Sequence, residues 1–433
     1  MSATAASAQA MVAGGTHRSV FARMFGSAVV SQAVLSAASL LVGLLLIRRT
    51  SDAQYGSYVL VFNAMMLLNS LQNAFFNPVM VIRMARADRA GKADVVGGLY
   101  REQLRMLRPL VWVAAFVTVV LRLTGHVDNA TALLLLAGIA AARAALNREY
   151  FRISLLAHRR SSDVLRGDLF YVFLLIGGAA LATLTPLPAA VTLLGMSLAA
   201  IAAGGWMARR LTREEGFNPQ GLPGLLREVA PTAMWTTAGA GIHWLFSQGY
   251  SYIVAVQLDV AAVAAVAACR LLLMPVNLVS TGVSSLMLPI TTGWLRECTP
   301  RQVFARLCLF TGVLCAGALC YVGVMWLMRD WIFATILKKD FAQRDVLLGL
   351  WSLTAILMIL RDQLLYLLLA RERFRRLTGL AAASALLSLV TTYWGMLLYG
   401  VAGALLGVIA GELLSVAGIV VMSRREMRLA EAA

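Results

Sequence analysis

Charge is what this 433-residue chain has least of: Asp, Glu, Lys and Arg make up 14% of it, against 60% hydrophobic residues. A soluble domain of this length could not hide so much apolar side chain from water. With a mean hydropathy of +0.76, the chain falls among polytopic membrane proteins. Acid is scarcer than base, 21 residues to 38, for a formal net charge of +17. The excess suits loops beside anionic lipid and would also serve an anionic substrate. Nucleic acid is a poor partner for it, because the arginines sit at helix ends and not on a soluble domain. Cysteine is sparse too. Cys269, Cys298, Cys308, Cys315 and Cys320 make no CxxC pair and lie mostly inside apolar runs, so they read as small hydrophobes. The histidines, His17, His126, His158 and His243, are scattered, so the sequence offers no metal cluster and no cofactor signature.

What is present is organised around Ala142–Arg160, ARAALNREYFRISLLAHRR. It continues an apolar segment that begins near Ala130, so Arg143, Arg148 and Arg152 lie on a helix that is still in the bilayer. At ~1.5 Å per residue Arg148 is about 27 Å from Ala130, deep in or just past a hydrocarbon core of ~30 Å. Charge at that depth faces a protein interior or a wet cavity and finds a partner. A second stretch, LRDQLLYLLLARER over 360–373, lays Arg361 on Arg148, Asp362 on Glu149 and Ala370 on Ala157, at an offset of 213. The correspondence marks a duplicated unit.

In chain order, Met1–Gly15 reads as a disordered cytoplasmic tail and Phe25–Ile47 as a first spanning helix entered from Arg18 and Arg23. Further spans are expected at Tyr55–Ile82, Leu107–Leu123, Ala130–Ala157, Leu169–Leu184, Ala189–Ala208, Pro231–Val256, Val260–Ile290, Ala305–Leu327, Val346–Leu369, Leu377–Leu398 and Val401–Met422. This is an all-α chain of twelve spans. With the amino terminus inside, 27 of the 38 basic residues fall in cytoplasmic tails and loops, seven on the opposite side and four in the membrane. Both termini are therefore expected in the cytoplasm. Residues 1–24 form the tail, 25–208 an N-lobe, 209–228 a linker rich in Gly, Pro and mixed charge, 229–422 a C-lobe and 423–433 a second tail. Six spans per half give parallel repeats, related by a pseudo-two-fold axis along the membrane normal, with a site expected between them.

The RRTSDAQYGSYVLVFNAMM entry after the first span, the LNREYFRISLLAHRR exit of the fourth and the six-plus-six plan resemble the polysaccharide exporters of the multidrug/oligosaccharidyl-lipid/polysaccharide (MOP) superfamily. Its lipid-linked oligosaccharide (O-antigen-type) flippases are the nearest resemblance. That resemblance implies a V-shaped pair of lobes around a central cationic cavity, alternating access, and an undecaprenyl-pyrophosphate-linked sugar repeat as substrate. It also implies a bacterial inner-membrane location and a monomer, associated with polysaccharide polymerase machinery and bathed in anionic lipid. Lipid II flippases of the superfamily usually carry two more helices than this chain.

Among candidate residues, Arg270 lies roughly 15 Å into the eighth span with no acid within a helical turn, so it awaits an anionic ligand or a carboxylate such as Glu412. Arg143, Asn147 and Tyr150 share one face of the fourth span, a substrate-facing candidate because its charge has no local partner. Arg148 is a further substrate candidate, although Arg148, Glu149 and Arg152 share a second face suited to ion pairing, as do Arg361 and Asp362. Glu412, the one acid deep in the twelfth span, is a coupling group or a static partner for an arginine. Asp52 and Asp259 read as helix caps. A pyrophosphate favours bidentate guanidinium over ammonium, and every embedded cation is arginine.

Three other readings fit less well. A cation-coupled drug exporter of the same superfamily usually holds an acid in the first helix of a lobe, and Ser27–Ile47 has none. A membrane-bound polysaccharide polymerase or ligase would present a large outer loop with catalytic residues, but Met328–Asp345 has no histidine. A structural subunit would leave Arg270 unexplained. The basic asymmetry makes a direct prediction: in sealed cells an impermeant thiol reagent should label Asp128→Cys and Lys338→Cys, and spare Gly91→Cys and Gly221→Cys. Labelling at position 221 would break the six-plus-six topology.

Overall fold

In lipid only an internal hydrogen-bond ladder can satisfy the backbone of an apolar run, so runs of twenty residues dictate helices. The computed structural model describes residues 26–431 except 28, 29 and 223; among these no strand occurs. The expected tail, with Arg18 and Arg23, lies outside the described residues. The helices are α1 (Val30–Arg49), α2 (Asp52–Arg86), α3 (Arg89–Leu123), α4 (Asn129–Ala157), α5 (Ser161–Ala182), α6 (Pro188–Glu214) and α7 (Leu225–Gln257). They continue with α8 (Val260–Leu272), α9 (Met274–Glu297), α10 (Pro300–Leu327), a short α11 (Arg329–Trp331) leading into a π-turn (Ile332–Leu337), α12 (Arg344–Leu364), α13 (Tyr366–Ala370), α14 (Phe374–Tyr399) and α15 (Val401–Glu431). Ten segments, α12–α13 counting as one, are long and apolar enough to cross a membrane, and bent α8–α9 makes an eleventh. The 33-residue α7 supplies the counterpart of the remaining expected span.

The differences from expectation lie at helix ends. α3 begins at Arg89 and not at Leu107, α5 at Ser161 and not at Leu169, and α15 runs to Glu431, beyond Met422. A helix need not stop where lipid stops. Asp88 caps α3 by accepting the Gly91 N–H at 2.8 Å, and the polar turns behind it continue the ladder. The expected linker is likewise helical at both ends. Its middle is strapped to α3: Asn218 donates its N–H to the Ala93 carbonyl (3.2 Å) and its amide to Asp94 (2.7 Å). A Cβ on Gly98 would stand 2.6 Å from the Gly221 carbonyl, so glycine is what lets the strap lie flat.

The single eighth span expected over 260–290 is broken. α8 ends at Leu272 and α9 sets off at a bend of 56°. Pro275, at the start of α9, has no N–H to offer the ladder, and its ring would clash with a carbonyl four residues back.

The duplication is visible in the backbone. α5 and α14 start 213 residues apart, as do α6 and α15, and α4 and α13 end 213 residues apart. Both turns after those ends close in the same way. Arg159 and Glu372 are left-handed (φ 60° and 57°), and the N–H groups of Arg160 and Arg373 return to the carbonyls of Leu155 and Leu368. Neither left-handed residue is glycine or asparagine, so the geometry is imposed by the helix ends it joins.

The chain divides into two compact units. Among the described residues, one comprises the chain from 26 to 39 with Gln72–Ala182 and Ala190–Met234; the other comprises Leu40–Leu71, Thr183–Ala189 and the chain from 235 to 431. In the first, Phe76, Met80, Leu99, Tyr150, Phe151, Leu155 and Met207 form the buried core. In the second, Trp244 and Tyr252 donate side-chain hydrogen bonds to the carbonyls of Asn63 and Leu60, at 3.0 and 2.9 Å. Lys339 reaches Asp52 at 2.6 Å, so Asp52 is an ion-pair partner, whereas Asp259 caps α8 as expected through the Ala262 N–H (2.6 Å).

Within the second unit α14 and α15 approach closely along Gly403, Gly407 and Gly411, one glycine every four residues. Small residues at that spacing let backbones meet, which is how helices gain packing in a solvent as apolar as their side chains. A Cβ at Gly407 would overlap the backbone N and hydroxyl of Thr392, and one at Gly411 would stand 2.7 Å from the Cβ of Ser388. Gly407→Val should therefore cost at least 1–3 kcal/mol by overpacking, read as a lower melting midpoint and a loss of monodisperse protein in mild detergent. Gly317→Val, on α10 with nothing within 4 Å of its Cβ, should leave both unchanged.

Candidate functional site

α4 passes so near α6 that a Cβ on Gly204 would stand 3.1 Å from the Cα of Arg148. From there the Arg148 side chain crosses the Tyr171 ring, 3.8 Å from its centroid, and reaches Asp168 on α5 at 2.6 Å. Arg152 bonds the other oxygen of Asp168 at 2.9 Å and Glu149 at 3.1 Å, while the Ser31 hydroxyl also donates to Asp168. Asp168 has no exposed surface. Two guanidiniums face two carboxylates, so the network is neutral and Arg148 is already matched. Asp168 went unnoticed in the sequence because the apolar run begins at Leu169. A helix starting at the polar residue Ser161 would have carried it two turns inward.

Arg361 sits at the repeat-related place in the second unit, beneath Phe246, 5.5 Å from the ring centroid. It bonds Asp362 at 2.9 Å and Glu412 on α15 at 2.6 Å. The pair Arg270–Glu412 weighed from the sequence does not form, because the Glu412 carboxylate is held by Arg361. The two arginines correspond, yet their buried acids come from different helices. Position 381, which corresponds to Asp168, is alanine, and so is position 199, which corresponds to Glu412.

Arg270 is a different case. It lies in the last turn of α8, next to the break, and is half-buried. It donates to the Gln248 side-chain oxygen at 2.5 Å and reaches the Tyr250 hydroxyl at 3.4 Å, with the Trp351 ring centroid 5.4 Å away. Among the described residues no carboxylate pairs with it. A cation held by neutral acceptors and an aromatic wall can take an anion without first releasing an acid.

The face of Arg143, Asn147 and Tyr150 is divided by depth. Arg143 is exposed and, among the described residues, forms no ion pair; Asn147 is half-buried with a side-chain oxygen that has no hydrogen-bond partner. Tyr150 is enclosed, 1% exposed, and its hydroxyl donates to the Val96 carbonyl at 2.6 Å. Phe76, Tyr100 and Phe151 surround it, so Tyr150 is a core residue and is corrected from the substrate-facing role expected of it. Among the described residues no metal-ligand cluster occurs.

Removing one member of a buried ion pair costs roughly 3–5 kcal/mol, because the survivor is left uncompensated. Arg361→Ala, which strands buried Glu412, should therefore lower membrane abundance and melting midpoint far more than Asp362→Asn, whose side chain is 35% exposed. The exchange Arg361→Glu with Glu412→Arg should restore part of the loss. Equal tolerance of the two single variants would show that the pair carries no stability.

No family model matches the sequence, and neither does any curated protein. Solved structures do match in fold. An inward-facing multidrug resistance MATE family transporter of the MOP superfamily superposes with a TM-score of 0.72 at 12% identity, over 93% of this chain and 96% of that one. The lipid II flippase MurJ in an inward closed conformation gives 0.72 at 12% identity, over 93% and 87%. A MOP superfamily transporter from Pyrococcus furiosus, described as having a binding pocket of reversed polarity, gives 0.65 at 14%, over 95% and 96%. The chain thus has the all-helical fold of MOP superfamily transporters and flippases.

Proposed function

We propose that this chain is a flippase of the bacterial inner membrane. It carries an undecaprenyl-pyrophosphate-linked oligosaccharide repeat across the bilayer, for exopolysaccharide or O-antigen synthesis. Its lobes, 25–208 and 229–422, alternate access, and both termini are cytoplasmic. The fold supports transport, and MurJ, a lipid II flippase, has that fold. The observation that carries the substrate class is Arg270, an embedded guanidinium with no carboxylate partner among the described residues, set at the break of a discontinuous helix. Transporters of unrelated build place substrate sites at such breaks, where unwound backbone lines a cavity.

A cation-coupled drug exporter is less well supported. Asp168 and Glu412, the buried acids of the two arginine networks, are each bonded to arginine, and α1 has no acid. The Pyrococcus furiosus protein is precedent, within the fold, for a change in the polarity of the pocket.

The test is export of the lipid-linked sugar together with protein abundance in the membrane. A charge-assisted hydrogen bond is worth ~1.5–3 kcal/mol, so Arg270→Ala should reduce export at least tenfold while the protein still reaches the membrane. Arg270→Lys should recover little, because an ammonium cannot reproduce a planar fork. Export by Arg270→Ala at the wild-type rate, at normal abundance, would overturn the assignment.

A further inference from the structure

The turn between α4 and α5 and the turn between α13 and α14 share a backbone and differ in net charge. In the first, one guanidinium is ringed by acids: Arg160 bonds Asp163 (3.0 Å), Glu215 (2.7 Å) and Glu214. Over the matched positions 158–163 and 211–215, Arg159, Arg160 and Arg213 stand against Asp163, Glu214 and Glu215, so that corner is neutral. In the second, one carboxylate is ringed by guanidiniums. Buried Glu426 meets Arg373 at 2.9 Å, Arg376 at 3.3 Å and Arg371 at 3.4 Å. At the 213-residue offset Ser161, Ser162 and Asp163 become Phe374, Arg375 and Arg376, and Glu215 becomes Arg428.

Arg375, Arg424, Arg425 and Arg428 are exposed and, among the described residues, form no ion pair. The corner holds seven arginines against Glu372 and Glu426, a surplus of five positive charges. Helix stability accounts for Arg428, in the last turn of α15, but not for Arg375 and Arg376 in the first turn of α14, where the helix dipole disfavours cations. A general bias toward basic loops does not explain it either, because the same corner in the first copy is neutral. Phe374 and Leu429 stand exposed among the arginines, at 57% and 59%. Apolar side chains mixed with guanidiniums fit the level where lipid headgroups meet acyl chains.

We propose that this arginine corner binds the phosphate headgroups of anionic membrane phospholipid. Each arginine near such a surface adds attraction, and Arg371, Arg373 and Arg376 are gathered on Glu426, each guanidinium having more N–H donors than one carboxylate takes. The inference stands apart from the flippase reading, because its readout is lipid binding and not transport.

The experiment uses the full chain in nanodiscs of equal phosphatidylglycerol and phosphatidylcholine, with retained lipid counted by native mass spectrometry. The wild type should retain phosphatidylglycerol over phosphatidylcholine by tenfold or more, and melt several degrees higher in phosphatidylglycerol alone than in phosphatidylcholine alone. The variant Phe374→Ser, Arg375→Ser, Arg376→Asp restores the residues that the first copy carries on the same backbone, and should lose both effects. Arg424→Ser with Arg425→Ser, at two exposed positions, should weaken the preference even if the triple variant folds poorly. Equal retention of the two lipids by the wild type would overturn the proposal. So would an undiminished preference in the variants, or displacement of the lipid by millimolar inorganic phosphate, which would mark a site for free anions.

Discussion

A guanidinium inside a hydrocarbon span has to be answered by a carboxylate or by a ligand, and much of this molecule is arranged around that requirement. Arg148 and Arg152 are answered by Asp168 and Glu149, and Arg361 by Asp362 and Glu412. Each answer draws two or three helices to a fixed mutual position, because a charged hydrogen bond of 2.6–2.9 Å tolerates little slippage. The networks are therefore registration devices more than sources of net stability, since desolvation consumes much of their attraction. Arg270 stands out against them: it has the same chemistry, at a helix break, with amide, hydroxyl and indole around it and no acid paired with it among the described residues.

Close helix approach makes those networks reachable. Gly204 lets α6 lie against α4 at Arg148, and the glycines at 403, 407 and 411 bring α15 against α14 beside Glu412. Ser384 and Ser415 add an interhelical hydrogen bond of 2.9 Å in the same seam. In lipid there is no water to drive helices together, so small residues and a few polar contacts decide which helices meet and at what depth.

The helices were largely legible because hydropathy reports directly on lipid contact, and the repeat could be read from arginines placed alike in both halves. Most of the misplaced helix ends share one cause. Apolar runs mark where lipid ends, whereas helices end where caps or prolines end them. Asp168 and Glu426 both fell just outside an apolar run and so looked like loop residues, yet each is a buried hub for arginines. The break at Leu273 was written in Pro275, but a proline near a helix start and one within a kinked helix look alike until the neighbouring carbonyls are placed. Tyr150 shared an angular face with Arg143, and periodicity carries no information on depth below the helix surface.

The unequal placement of the two buried acids has a consequence for how the duplicated halves can have diverged. The turns after α4 and α13 keep the same backbone and register, so an exchange at those turns would yield chains of correct length and turn geometry. The copies are not interchangeable in charge. A crossover that carried the fourth and fifth helices of the first half into the second, leaving its sixth in place, would set Asp168 and Glu412 against a shared arginine site, and the reciprocal exchange would leave alanine at both positions. Once the acid had moved between helices, gene conversion between the halves would have been penalised at every such exchange, and the two copies were free to drift apart only as whole units.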